Sequence, residues 1–135
     1  MMQPFDVLRG TWTTEATHPM FDAVVPGTTT FEWLEGRHFL IQRVTNDHEQ
    51  FPDSISVIGL PEDGEQLVAV YSDSRGVRRT YGASFEDGVL RFWRDEPGFE
   101  QRFTATPDAA GFVGQWQMAK TPGNWQDDLR VVYRR

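Results

Sequence analysis

Residues 66–84, QLVAVYSDSRGVRRTYGAS, contain two short runs of β-branched and aromatic residues with a turn between them. The turn is Ser74-Arg75-Gly76, where glycine accepts a positive φ at no steric cost. The flanking runs, residues 66–73 and 77–84, are rich in the residue types that strands prefer. This stretch therefore predicts a β-hairpin.

Similar turn-forming residue pairs recur along the whole chain. Turn signals stand at Pro26-Gly27, Glu35-Gly36, Asp87-Gly88, Pro97-Gly98, Ala110-Gly111 and Pro122-Gly123, among others. Between such signals the sequence predicts ten strands, at residues 11–16, 28–34, 38–45, 54–59, 66–73, 77–84, 89–94, 100–106, 112–119 and 127–134. No segment sustains the 3.6-residue period of a helix. A single helical turn is predicted at residues 4–8.

Ten strands joined mainly by hairpins predict an all-β fold, a ten-stranded antiparallel up-and-down barrel. An open meander leaves two unpaired edges, and closure removes them. A barrel of this size is filled only partly by its own side chains, so we expect an internal cavity for one small ligand. The alternative is a β-sandwich with a solid core. At 135 residues the chain is expected to form one domain, 1–135.

Composition excludes several kinds of chemistry. The chain has no cysteine, which removes disulfides and thiolate sites and fits a reducing cytoplasm. Its net charge of −7 argues against nucleic acid or an anionic membrane as a partner. No apolar run is long enough to span a bilayer. The three histidines, His18, His38 and His48, lack paired metal-ligand spacing, so we expect neither a metal nor a cofactor.

Strand parity sorts side chains into inward and outward sets, because neighbours along a strand point to opposite faces. The larger apolar sets, which we assign inward, also carry polar and charged residues. We expect the ligand to contact nine side chains: Trp33, Phe39, Arg43, Tyr71, Asp73, Arg79, Tyr81, Gln101 and Trp116. For the fourth and seventh strands, the sequence does not indicate which face points inward. Outward-facing Leu40, Val68 and Val70 suggest a homodimer through the barrel wall.

The charged members of the inward set need partners, since an unpaired buried charge is very unfavourable. One interpretation is structural: Arg79 pairs with Asp73 at the barrel end, and Arg43 extends to solvent. The other is functional. Arg79 and Tyr81 lie two residues apart and share a face, so they would orient a carboxylate, phenolate or carbonyl while aromatic residues cover the ligand's apolar body.

The opening Leu8-Arg9-Gly10-Thr11-Trp12 resembles the first-strand G-x-W signature of the calycin superfamily, which includes lipocalins, fatty-acid-binding proteins and nitrobindins. Residues 31–37, 71–77, 93–95 and 101–103 are similar to a bacterial branch of that superfamily, and the resemblance covers essentially the whole chain. It implies a ten-stranded barrel with an internal cavity. It implies no reaction, because function belongs to the site and not to the fold.

The resemblance does not carry over either family's ligand residues. Nitrobindins bind haem through a histidine on a late strand, and no histidine follows His48 here. Fatty-acid-binding proteins use Arg-x-Tyr on their final strand, whereas here that spacing occurs earlier, at Arg79-Thr80-Tyr81.

Three functions stay open at this point. The first is binding of a small hydrophobic or aromatic molecule that bears an acidic or carbonyl group. The second is an isomerase or cyclase that uses Asp73, Arg79 and Tyr81 while the cavity shapes the substrate. The third is haem binding of the nitrobindin kind, which the missing late histidine disfavours.

Overall fold

The computed structural model describes residues 2–135 and confirms the all-β prediction. A 3₁₀ helix, Gln3–Leu8, covers the predicted helical turn, and within the described residues no helix has the length and apolar character needed to cross a membrane. The strands are β1 (Gly10–Thr17), β2 (Val25–Trp33), β3 (Leu40–Asn46), β4 (Ser54–Gly59), β5 (Val68–Asp73), β6 (Arg78–Glu86), β7 (Val89–Arg94), β8 (Glu100–Asp108), β9 (Gly111–Ala119) and β10 (Gln126–Arg134). They differ from the predicted strands by only a few residues at their ends.

Each strand pairs antiparallel with the next, and β1 pairs with β10, so the sheet closes into a barrel. In the closing pair, Thr14 lies opposite Tyr133 and Ala16 lies opposite Val131. Closure pairs both edges that an open meander would expose. The architecture is the predicted ten-strand up-and-down barrel and is consistent with a calycin-like fold, and the β-sandwich alternative is wrong.

The hairpin between β6 and β7 shows how the turn residues shape the barrel. Asp87 and Gly88 have φ angles of 53° and 77°. Two consecutive positive φ values are what a type I′ turn requires, and its twist matches that of the flanking strands. The Asp-Gly pair in the sequence therefore marks this hairpin correctly.

One end of the barrel is closed by the 3₁₀ helix. Its Phe5 and Leu8 are almost completely buried, and the Phe5 ring lies 5.4 Å from the ring of Phe85. Trp12, at the start of β1, donates a hydrogen bond from Nε1 to the carbonyl oxygen of Leu8 at 2.8 Å. This end is packed with side chains, so any open space lies towards the other end.

The predicted inward faces are confirmed in most strands, and β3 is the exception. Leu40 and Gln42 are buried inside the barrel, while Arg43 is exposed on the outer face. Arg43 there pairs with Glu32 at 3.4 Å. The prediction that Phe39 and Arg43 point inward is therefore wrong, as is the outward placement of Leu40.

The error in β3 has a physical reason in the neighbouring strand. Phe39 precedes β3 and lies across Gly59 on β4, where a Cβ atom would come within 2.7 Å of Cε1 of the Phe39 ring. An aromatic ring covers glycine on the outer surface, which frees Leu40 for the core opposite Ile58. Because Leu40 lies inside the barrel, only Val68 and Val70 remain as outward-facing support for the homodimer, which stays a prediction.

The two strands whose faces the sequence left open are resolved by the structure. On β4, Ser56 and Ile58 are buried within the barrel and Val57 is exposed. On β7, Leu90 and Phe92 are buried. The inner face of β4 therefore presents serine hydroxyls, whereas the inner face of β7 presents an aromatic ring.

Candidate ligand-binding site

A cavity of about 370 Å³ occupies the half of the barrel away from the 3₁₀ helix. Its lining combines inward side chains of the strands with residues of the loops after β1 and β3, including Phe21 and Phe51. Cavities of this size and position are those that hold small ligands in closed barrels. The barrel is thus compatible with ligand binding.

One side of the cavity is an aromatic wall, defined here as Tyr81, Phe92, Phe103 and Trp116. These residues come one each from β6, β7, β8 and β9. The Trp116 ring lies 4.9 Å from that of Phe103 and 5.5 Å from that of Tyr81, and the Phe92 and Phe103 rings are stacked at 5.7 Å. Such contacts fix the rings as a continuous apolar surface.

Three polar groups converge at the edge of the aromatic wall. The Tyr81 hydroxyl donates to Oε1 of Gln101 at 3.1 Å, and Nη1 of Arg79 points to the same oxygen at 3.5 Å. The Arg79 guanidinium also lies 5.4 Å above the ring of Phe99. Burial raises the pKa of Tyr81, so its hydroxyl stays protonated and acts as a donor. Two donors therefore aim at one point of the cavity.

Asp73 does not pair with Arg79, as the structural interpretation of the sequence expected. Nη2 of Arg75 donates to its Oδ2 at 2.6 Å, and the Tyr71 hydroxyl donates to the same oxygen at 2.6 Å. Burial by itself would raise the pKa of Asp73, but these bonds and the backbone N–H groups of Arg75 and Val77 outweigh it and lower the pKa to about 2. Asp73 is therefore an ionised anchor of the turn between β5 and β6.

These pairings leave one cation of the cavity without a counter-charge. Arg75 is neutralised by Asp73, and His18 lies 2.8 Å from Asp128. Within residues 2–135, no carboxylate comes within 4.0 Å of the Arg79 guanidinium. The groups that it meets, the Gln101 amide and the Tyr81 hydroxyl, are both neutral. Arg79 is therefore a cavity-lining cation without a counter-charge among the described residues.

The mouth of the cavity is covered by a cluster of four rings from two loops, His18, Phe21, His48 and Phe51. Neighbouring rings in this cluster lie edge to face, with centroids 5.4 to 6.0 Å apart. The backbone N–H of Met20 donates to Nδ1 of His18 at 3.0 Å. In the neutral ring Nε2 therefore carries the proton, and it donates to Asp128 on β10.

The structure brings together five of the nine side chains that the sequence singled out. The residues that line the cavity are Tyr71, Arg79, Tyr81, Gln101 and Trp116. Asp73 lies just behind Tyr71. Trp33 is at the closed end, where its Nε1 donates to Asp6 at 2.8 Å. Phe39 and Arg43 are outside the barrel.

Sequence reasoning missed a polar wall on the opposite side of the cavity, defined here as Thr14, Thr29, Gln42 and Ser56. These residues come one each from β1, β2, β3 and β4. Strand parity placed Thr14 inward with Trp12, but none of the four was predicted as a ligand contact, because Ser, Thr and Gln on a strand are normally taken as solvent-facing. The available signal was that Thr14 and Thr29 share the parity of Trp12 and Phe31.

No family model and no curated protein matches this chain. Within residues 2–135, no three side chains of the metal-binding types come together in a group that could hold a metal ion. The site is thus defined by its aromatic wall, its polar wall and the cation between them.

Proposed function

We propose that the protein binds one small molecule with a flat apolar body and a carboxylate, inside the barrel. The observation that carries this proposal is Arg79, a cavity cation that no carboxylate of residues 2–135 neutralises. A carboxylate would take the place where Gln101 Oε1 now receives the Arg79 and Tyr81 donors. Charge-assisted bonds of this kind are about twice as strong as neutral ones.

The aromatic wall supports the apolar part of the ligand. Tyr81, Phe92, Phe103 and Trp116 present ring faces and edges to the cavity, against which a planar molecule can stack. The volume of about 370 Å³ falls within the range of small-molecule sites. We further place the protein in a bacterial branch of the calycin superfamily and, because it lacks cysteine, in the cytoplasm.

The isomerase or cyclase alternative loses its acid–base residue. Asp73 has its carboxylate oxygens occupied by Arg75, Tyr71 and two backbone N–H groups. With a pKa of about 2 it is too weak a base for proton abstraction near neutral pH. Catalysis of this kind and haem binding stay predictions without an observation in their favour.

The test is calorimetric titration with a matched pair of probes, 2-naphthoate and its neutral analogue 2-naphthalenemethanol. We expect the wild-type protein to bind the carboxylate more tightly. Arg79→Gln should lower the affinity for 2-naphthoate about tenfold or more, because a charged hydrogen bond is lost. The same change should leave the affinity for the alcohol nearly unaltered.

Arg43→Gln is the control, because it removes an arginine of the same size from the outer face. It should leave both affinities unaltered. The proposal fails if neither probe binds, or if Arg79→Gln and Arg43→Gln weaken 2-naphthoate to the same extent.

A further inference from the structure

The polar wall consists of buried groups that have no hydrogen-bond partner within residues 2–135. Thr14, Thr29, Gln42 and Ser56 are 4%, 1%, 8% and 7% exposed. Together with Gln101 they are the buried polar residues among residues 2–135, and all five line the cavity. A buried hydroxyl or amide costs free energy unless something bonds to it.

None of the four side chains of the polar wall makes a hydrogen bond to another part of the described chain. At the same time, no side-chain nitrogen or oxygen in residues 2–135 is both sealed from solvent and unpaired. Their polar atoms therefore open into the cavity itself. These atoms are free to bond to whatever occupies it.

Part of the polar wall, Gln42 and Ser56, continues directly to Arg79. Gln42 lies directly opposite Ser56 in the β3–β4 pair, and Ser56 lies directly opposite Tyr71 in the β4–β5 pair. Tyr71 in turn lies opposite Arg79 in the β5–β6 pair. A row of neutral hydrogen-bonding groups thus leads from β3 to the cation on β6, across the cavity from the aromatic wall.

We infer that the ligand is a hydroxylated planar carboxylate, an oxygenated aromatic acid rather than a plain hydrocarbon acid. This inference rests on the proposed function. The carboxylate meets Arg79, one face of the ring system covers the aromatic wall, and its hydroxyl groups meet Thr29, Gln42 and Ser56. Neutral hydroxyls suit this wall because Ser and Thr both donate and accept, and Gln does so through its amide.

A hydrocarbon acid of the same size would leave the polar wall unpaired and stripped of water. Sites built to bond a hydroxyl discriminate strongly against analogues that lack it, because the site's own buried groups lose their partners. We therefore expect selectivity to lie in the polar wall, while Arg79 supplies affinity for any carboxylate.

The experiment compares 2-naphthoate with its 5-, 6- and 7-hydroxy derivatives by calorimetry. The three positions present the hydroxyl at different points along the polar wall. We expect wild-type protein to bind at least one derivative about three- to tenfold more tightly than 2-naphthoate, as one net hydrogen bond allows. In the Thr29→Val/Ser56→Ala variant this preference should disappear, while binding of 2-naphthoate persists.

The control is the Thr30→Val/Ser72→Ala variant, which makes the same two changes on the outward faces of β2 and β5. It should keep the wild-type preference. If Thr29→Val/Ser56→Ala still binds 2-naphthoate, its barrel is folded and its Arg79 still binds the carboxylate.

The outcomes separate the two proposals. If all probes bind through Arg79 but the hydroxyl groups give no advantage, the polar wall merely holds water, and the further inference is overturned while the proposed function stands. The inference is also overturned if the outward-face control loses the preference as well. If no naphthoate binds at all, both proposals fail.

Discussion

The hydroxyl of Tyr71 donates a hydrogen bond of 2.6 Å to Oδ2 of Asp73, two residues further along β5. The same oxygen accepts from Arg75, and Oδ1 accepts from backbone N–H groups of the following turn. The Asp73 side chain is completely buried under these donors. One carboxylate thus ties the rim of the cavity to the hairpin that leads into β6.

The first prediction concerns acid stability. The pKa of Asp73 is about 2 in the folded protein against an ordinary 3.8. Because the folded-state value is depressed, Asp73 stabilises the protein above the unfolded pKa, and this stabilisation is lost as pH falls through the folded pKa. We expect wild type to lose about 2 kcal/mol of unfolding free energy through this group between about pH 5 and pH 2.

Urea unfolding of wild type and Asp73→Asn at about pH 6 and pH 2.5 measures this contribution. Asp73→Asn should be less stable at the higher pH, and its stability should fall less between the two values. The matched control, Asp22→Asn at an exposed loop position, should keep the wild-type slope. If the unfolding free energies of wild type and Asp73→Asn depend on pH in the same way, Asp73 does not supply the pH-dependent stabilisation.

The second prediction concerns the outer face at Gly82. A Cβ atom at this position would lie 2.6 Å from Cζ2 of Trp93, whose ring covers the glycine. The ring is rigid, so Gly82→Ala should lower the unfolding free energy by about 1–3 kcal/mol. Trimming the ring in Gly82→Ala/Trp93→Leu should recover part of that loss. Denaturant unfolding of both single variants and of the double variant tests this prediction. If the losses of unfolding free energy in the single variants simply add in the double variant, there is no clash between the two positions.

The third prediction concerns access to the cavity. His18 anchors the loop after β1 through its 2.8 Å bond to Asp128 on β10. His18→Ala should free the four-ring cluster at the mouth and speed both association and dissociation of 2-naphthoate, with a smaller change in affinity. Asp128→Asn keeps an oxygen acceptor for Nε2 and should change these rates less. Stopped-flow mixing measures the rates, and unchanged rates in His18→Ala would show that the cluster does not control access.

The fourth prediction concerns Thr29, a residue that is 1% exposed and whose hydroxyl has no partner within residues 2–135. Thr29→Val keeps the shape and removes a hydroxyl that has no partner within residues 2–135 and opens only into the cavity, so the unliganded protein should keep its stability or gain up to about 1 kcal/mol. Thr30→Val on the outer face should change stability by less. Thermal unfolding without ligand decides between them, and a destabilised Thr29→Val would mean that the hydroxyl is satisfied in the free protein.

Turn residues and strand parity were enough to predict the closed barrel and most of its inward face. Asp87-Gly88 could be recognised as a turn because both residues must accept a positive φ. Tyr71, Arg79 and Tyr81 could be placed inside because parity needs no partner strand. These features are local, so the sequence carries them directly.

The features that failed depend on strand register in one case and on turn conformation in the other. Phe39 and Leu40 are both large and apolar, and the choice between them is made by Gly59, a neighbour known only once β3 and β4 are paired. Asp73 was expected beside Arg79, but the tight turn brings Arg75 to it first. The first case is decided by strand pairing, which spacing along the chain does not report. The second is decided by the conformation of the turn, which places Arg75 and the Tyr71 hydroxyl on Asp73.

The two walls of the cavity come from separate stretches of chain. The polar wall lies between residues 14 and 56, and the aromatic wall lies between residues 81 and 116. Each can therefore be randomised as one contiguous cassette while the other is kept. On the proposed function, libraries confined to the first stretch should alter which hydroxyl pattern is preferred, and those confined to the second should alter the ring size that is accepted. The barrel would then be a starting point for engineered sensors of oxygenated aromatic acids.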